Sequence, residues 1–148
     1  MKLPSLLGAS FAILIAMLAG PSAAYESAPS ASTSDAYVRH LAGLINDYRQ
    51  RNGLGPLAFA GELAALAGEH SESMSEQRRL SHEGFRTRFS RASSKLCVEN
   101  VGRGFPTAET LLDGWRHSPS HHVNLLEPAV SRMGIAASAR YVTFFACR

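Results

Sequence analysis

The chain has 148 residues, 45% of them hydrophobic and 18% charged, with a formal net charge of +3. That size suits one modest domain with its own core, and the small positive excess lacks the dense basic stripe of a dedicated nucleic-acid binder. No G-x-S-x-G, H-E-x-x-H, C-x-x-C or P-loop pattern occurs, which removes the simplest hydrolase, zincin, redox and nucleotide readings.

The chain opens with Lys2 as the only charge before Glu26, and Leu6 to Ala19 is almost wholly apolar. At roughly 14 residues the run fits a signal-peptide core and falls short of the ~20 needed to span a bilayer. Gly20 and Pro21 break it, and Ser22-Ala23-Ala24 presents small residues to a signal peptidase. Residues 1–24 are therefore expected to be removed on export to the periplasm or medium, with no transmembrane helix left; an uncleaved anchor is the alternative. Removing Lys2 with that leader leaves 14 of the 15 basic side chains against 12 acidic ones.

Residues 25–34 (YESAPSASTS) have nothing to bury and read as a disordered leader to a domain at 35–148. Order is expected from Ser34 or Asp35, good N-cap residues. Val38, Leu41, Ile45 and Tyr48, with Leu44 beside them, repeat at helical spacing until Asn52-Gly53. Leu54 to Ala60 reads as a connection with Leu57 and Phe59 pointing inward. A second helix is expected from Gly61 to Arg79, with Leu63, Leu66, Ala67, His70, Met74 and Gln77 lining one face. His70 reads there as a hydrogen-bonded core histidine.

Ser81 to Phe85 reads as a turn, Arg86 to Ala92 as a short helix and Lys95 to Gly102 as a strand. A third clear helix spans Thr107 to His117, with Ala108, Leu111, Leu112 and Trp115 buried, and Ser118-Pro119-Ser120 is expected to stop it. Strands at Ser131–Ser138 and Tyr141–Cys147, joined near Ala139-Arg140, finish the chain. Helices first and a strand pair last predict an α+β fold with a small antiparallel sheet.

Two cysteines, Cys97 and Cys147, fall in the exported part, and an even count in an oxidising compartment favours one disulfide; two buried free thiols are the alternative. The polar candidates are scattered: His82, Glu99 with Asn100, and His121 with His122. Imidazoles titrate near neutral pH and bind metals, and a carboxylate can orient them or take a proton. Structural histidines are the alternative. Arg78, Arg79, Arg86, Arg88, Arg91 and Lys95 form a basic segment that reads as a solvated face or as a lure for anionic partners.

The order of several short motifs resembles the CAP family, which includes cysteine-rich secretory proteins, venom antigen 5 and plant pathogenesis-related-one proteins, and most of all its bacterial SCP-like branch. The matching pieces are Leu44-Ile45-Asn46-x-x-Arg49 with Gly53-Leu54-x-Pro56-Leu57, Ala67-x-x-His70-Ser71-x-x-Met74, Leu80-Ser81-His82, Glu99-Asn100-Val101-Gly102, Trp115-x-x-Ser118-Pro119-Ser120-His121-x-x-Asn124-Leu125-Leu126, and Met133-Gly134-Ile135-Ala136. The resemblance implies an α-β-α sandwich with a central cleft holding two histidines and two acids, a set that in some members takes a divalent cation such as zinc. By position His82 and His121 match the histidines and Glu99 one acid; Ser118 stands where the second acid belongs, which weakens any two-acid mechanism. Asn100, Ser118 and His122 are expected beside the cleft.

His82, His121 and Glu99 could make a three-ligand metal site, with Glu99 alternatively the catalytic candidate, as a base or in the second shell. If Glu99 is a ligand the site lacks a base. If it is the base, two histidines make a weak metal site. This favours a binding module for a divalent cation, a lipid-like ligand or a cell-envelope ligand over a metal-assisted hydrolase of peptide or ester bonds. An extracellular structural or interaction domain is the third reading.

Overall fold

The computed structural model describes residues 31–148, with side chains from Ser34 onward. The proposed signal peptide and most of the proposed leader lie outside the described residues. Five helices and four strands follow in the order α1 (Ala31–Arg51), β1 (Ala58–Phe59), α2 (Gly61–Glu76), α3 (Phe85–Arg91), β2 (Cys97–Arg103), α4 (Ala108–Arg116), α5 (Pro119–Leu125), β3 (Arg132–Ser138) and β4 (Tyr141–Cys147). The sheet order is β1-β3-β4-β2.

The β4 strand is buried at every position, because helices cover both faces of the sheet. Its side chains alternate between them. Val142, Phe144 and Ala146 join Leu41 and Ile45 of α1 and Leu111 and Trp115 of α4 in the larger apolar core. Phe145 and Cys147 face the other way, against Leu63, Leu66 and Ala67 of α2. Gly134 on β3 lets α2 approach closely, since a Cβ there would fall 2.0 Å from the Leu63 carbonyl carbon. The result is an α-β-α sandwich.

The antiparallel pairings of β4 with β2 and β3 are as expected, but β1 pairs with β3 in parallel, so the sheet is mixed. Phe59, expected inward, is 52% exposed because this two-residue strand lies at the sheet's edge. Helix α1 is already formed at Ala31, the first described residue, ahead of the expected Ser34 or Asp35, and α2 ends at Glu76 rather than Arg79. The largest difference is α5. Pro119 does not end helical structure there but opens a new helix at its first position, where a missing N–H is no loss.

Cys97 and Cys147 sit directly opposite on β2 and β4, and they form the disulfide. Arg148 N–H donates to the Leu96 carbonyl beside them, so theirs is a non-hydrogen-bonded pair, the closer of the two antiparallel spacings. The bridge holds the last strand, β4, to β2 in the middle of the chain.

Candidate functional site

Strand alternation divides β2 between two tasks. Cys97, Glu99 and Val101 turn toward α2 and α3, whereas Asn100 and Gly102 turn toward α4 and α5. The outward backbone carbonyls of this edge strand are covered. Val101 accepts from the Trp115 indole N–H at 3.0 Å and Glu99 from the Asn124 amide at 3.0 Å. An edge strand capped in this way cannot recruit another strand at those points.

Glu99 is 4% exposed. A buried carboxylate is unfavourable unless it is paired, and here the Arg88 guanidinium supplies the pair, Nε to Oε2 at 2.7 Å and Nη2 to Oε1 at 2.9 Å. A third Arg88 bond, from Nη1 to the Glu83 carbonyl at 2.9 Å, closes the turn before α3. His82 adds its Nδ1 to Glu99 Oε1 at 2.9 Å. Burial pushes the Glu99 carboxyl up, but the bonds from His82 and Arg88 and the charges of Arg88 and His70 outweigh it. The group is held below the usual carboxylate range and remains ionised.

An ionised Glu99 fixes the His82 tautomer. Nδ1 carries the proton it donates, leaving Nε2 on the exposed side of a ring whose side chain is 52% accessible. The loop bearing His82 is itself held from the core. Nε2 of buried His70 donates to the Ser81 carbonyl at 2.8 Å and lies 3.8 Å from Glu99 Oε1. Burial, joined by the charges of Arg88 and His82, keeps His70 below the ordinary imidazole range in spite of Glu99. His70 is thus the hydrogen-bonded core histidine expected, with the added task of positioning His82.

His121 comes from α5 on the far side of the β2 edge. Asn100 holds its backbone carbonyl at 3.0 Å, and Asn124 donates to the Asn100 side chain at 2.9 Å. Its ring centroid stands 6.4 Å from that of Trp115. Burial first, then the charge of His82, lower the His121 pKa, so the two imidazoles sense one another. Between the elements opens a cavity of about 300 Å³ lined by His82, Phe85, Cys97, Val98, Glu99 and Asn124.

The other expected residues stand elsewhere. Asn100 is fully buried and anchors α5 rather than lining the opening. His122 turns to the opposite side, with Nε2 2.9 Å from the Tyr48 hydroxyl of α1. Ser118 is half-buried at the start of α5, its carbonyl accepting from the His122 N–H at 2.8 Å.

Arg88 was grouped by sequence with a solvated basic face, yet it is 7% exposed. A signal for it existed. Phe85, Arg88 and Ala92 share one helical stripe, so Arg88 points inward and requires an acid. Glu99 is the only carboxylate between Glu83 and Glu109.

Can these residues hold zinc? With both oxygens of Glu99 engaged and Ser118 in place of a second acid, only two imidazoles remain as donors. Among the described residues no group of three or more His, Cys, Asp or Glu side chains is placed to hold a metal ion. The donors do not fit the three-ligand shell of a catalytic zinc.

The family signature described as "CAP: Cysteine-rich secretory protein family" matches residues 42–147. The chain belongs to the CAP family. YkwD of Bacillus subtilis (strain 168) is 29% identical over 116 residues, spanning 74% of this chain and 44% of that protein. In structure, the domain is similar to an extracellular SCP-domain protein from Bacillus anthracis str. Ames (TM-score 0.74, 24% identity, covering 78% of this chain and 41% of that one). It is also similar to a cysteine-rich secretory protein from Staphylococcus aureus subsp. aureus Mu50 (TM-score 0.73, 22% identity, 79% and 40%). An outer surface protein from Borrelia burgdorferi shares the fold over most of its own length (TM-score 0.71, 19% identity, 78% and 94%). The CAP chain thus spans less than half the length of YkwD and of the Bacillus anthracis and Staphylococcus aureus proteins. At these identities the structural likenesses establish the fold. No helix among the described residues is long and apolar enough to cross a membrane.

Proposed function

We propose that this CAP domain is an exported binding module whose cleft takes a lipid-like or cell-envelope ligand, with the Nε2 face of His82 and the imidazole of His121 as its polar contacts. Export is supported by the apolar run Leu6 to Ala19 and by fold relatives described as extracellular and outer-surface proteins. The observation that carries binding over catalysis is the state of Glu99, which is ionised, buried and engaged at both oxygens. It is neither a spare general base nor a third metal ligand. Phe85 and Val98 on the cavity wall provide apolar surface next to His82, the mixture that small-ligand sites use.

The test is native mass spectrometry of the protein purified from periplasm or medium, beside calorimetric titration with zinc chloride and with anionic phospholipid vesicles. A co-purifying ligand lost in both His82→Ala and His121→Ala is the expected result. A ligand or ion that binds only the folded state must also raise the melting temperature; a zinc-dependent rise lost in His121→Ala would place a cation between the imidazoles. Metal-dependent peptide or ester hydrolysis that disappears in both variants would overturn the proposal in favour of a hydrolase. Lowered melting temperature with no change in any bound species would reduce the cleft to a structural feature.

A further inference from the structure

A second cavity, also of about 300 Å³, opens on the outer side of the Glu99 network, between α2 and α3. It shares no lining residue with the His82 cleft, and Glu99's own supports, His70 and Arg88, are part of its wall. Nine of its ten lining residues carry polar side chains and the tenth is Gly84.

The charges define what fits. Glu69 is paired with Arg91, Glu83 with Arg79, and Arg88 with Glu99. Every acidic and basic side chain lining the cavity is therefore already paired, and burial first of all lowers the His70 pKa. Of these pairs only Arg88–Glu99 is buried; a charged ligand would find no free counter-charge here and could gain one at little cost only from the exposed pairs, not from Arg88. An apolar ligand would strand the polar walls without partners.

Hydrogen-bonding capacity remains in place. Arg88 uses three of its five N–H groups on Glu99 and the Glu83 carbonyl. The Thr87 hydroxyl has no partner among the described residues, and Ser73 accepts from Gln77 while keeping its own O–H.

We propose that the α2–α3 cavity is a binding site for a small, net-neutral ligand rich in hydroxyl and amide groups, a single sugar ring or acylated amino sugar. The site is separate from the cleft and does not depend on the function proposed for it. Its size is at the small end of ligand pockets, which suits one ring rather than a polymer chain, and a ligand of about 15 heavy atoms held by hydrogen bonds implies a Kd on the order of 1 mM.

The experiment is a nitrogen-15 amide titration of the purified protein with N-acetylglucosamine, with glucuronate and glucosamine (below its amine pKa) as anionic and cationic analogues. The neutral sugar is expected to shift the amides of residues 73, 77, 81 and 87, with each charged analogue about two- to fivefold weaker because it meets no free counter-charge and must compete with an exposed ion pair. Ser73→Phe, which fills the cavity from a half-exposed position on α2, should abolish the shifts. Thr87→Val, at an exposed position, should weaken binding severalfold and serves if Ser73→Phe fails to fold. Shifts confined to His82 and Asn124, equal binding of a charged analogue, undiminished binding by both variants, or no shift from the neutral sugar would each overturn the proposal. None of those outcomes touches the His82→Ala and His121→Ala test of the cleft.

Discussion

Two arginines are buried in this domain to almost the same degree, Arg49 at 2% and Arg88 at 7% exposure, and they serve different ends. Arg49, on α1, donates only to carbonyls: Gly55 at 3.1 Å, Leu125 at 2.9 Å and Glu127 at 3.0 Å. It ties the end of α1 to the loop before β1 and to the end of α5, with an apolar core beside it. Burial lowers its pKa, and the nearby charge of Glu127 partly offsets that. Arg88 instead meets a buried carboxylate, which in turn fixes the tautomer of a half-exposed histidine. Partners, rather than burial, decide whether such a charge holds the architecture or prepares a site. The two faces of the sheet divide in the same way. Apart from Arg49 and Asn100, the α1–α4 side is an apolar cluster, and the α2–α3 side buries His70, Ser71, Arg88, Glu99 and Thr143.

The largest test of this contrast is Arg88→Met. It leaves Glu99 buried without its counter-charge and should cost about 3–5 kcal/mol, read from urea unfolding midpoints. Arg49→Met removes donors from three carbonyls that water can partly replace near the surface loops, and should cost about 2–3 kcal/mol. If the Arg49 variant proves the less stable of the two, the contrast is inverted.

Acid titration separates them further. Glu99 has a folded pKa below its ordinary 4.5. Its contribution to stability is therefore fully present above the unfolded value and is lost as pH falls through the folded value. Wild type and Arg49→Met should show this acid loss alike. In Arg88→Met burial becomes the dominant influence on Glu99 and the slope should shrink or reverse; an unchanged slope would mean that Arg88 does not hold the carboxylate ionised.

The smallest effect concerns His70 and His121, both lowered first by burial. Their stabilising contribution is present above the unfolded histidine pKa of about 6.5 and declines as pH falls below it. Chemical denaturation between about pH 8 and pH 5 should show a decline that is smaller in His121→Gln. An identical decline in wild type and variant would remove His121 from the set of perturbed groups.

Periodicity made most of the frame legible before any coordinates. The stripes of α1, α2 and α4 and the alternation of β3 and β4 are local patterns, readable because each element buries one side against a neighbour. Helix α5 was hidden since Ser-Pro-Ser serves equally to end one helix and to begin another, and only the returning chain decides between them. At the site, the motifs around His82, Glu99 and His121 could be found by resemblance, and Arg88 was missed although its stripe predicted an inward cation. His122, expected beside the cleft, instead meets Tyr48, a partner 74 residues away that no local pattern points to.

By itself the sequence determined the helix and strand alternation through local spacing; its cysteine count favoured one bridge, its apolar start raised the expectation of export, and the order of its short motifs carried the resemblance to the CAP family. Only the tertiary structure decided which side of β2 each residue occupies and which partner each buried charge meets. Glu99 and Asn100 are neighbours in sequence, yet one joins Arg88 and His82 and the other grips α5. The reason is the two-residue period of a strand between two helical layers: adjacent side chains enter different environments, and what lies in each environment is set by contacts across the whole chain.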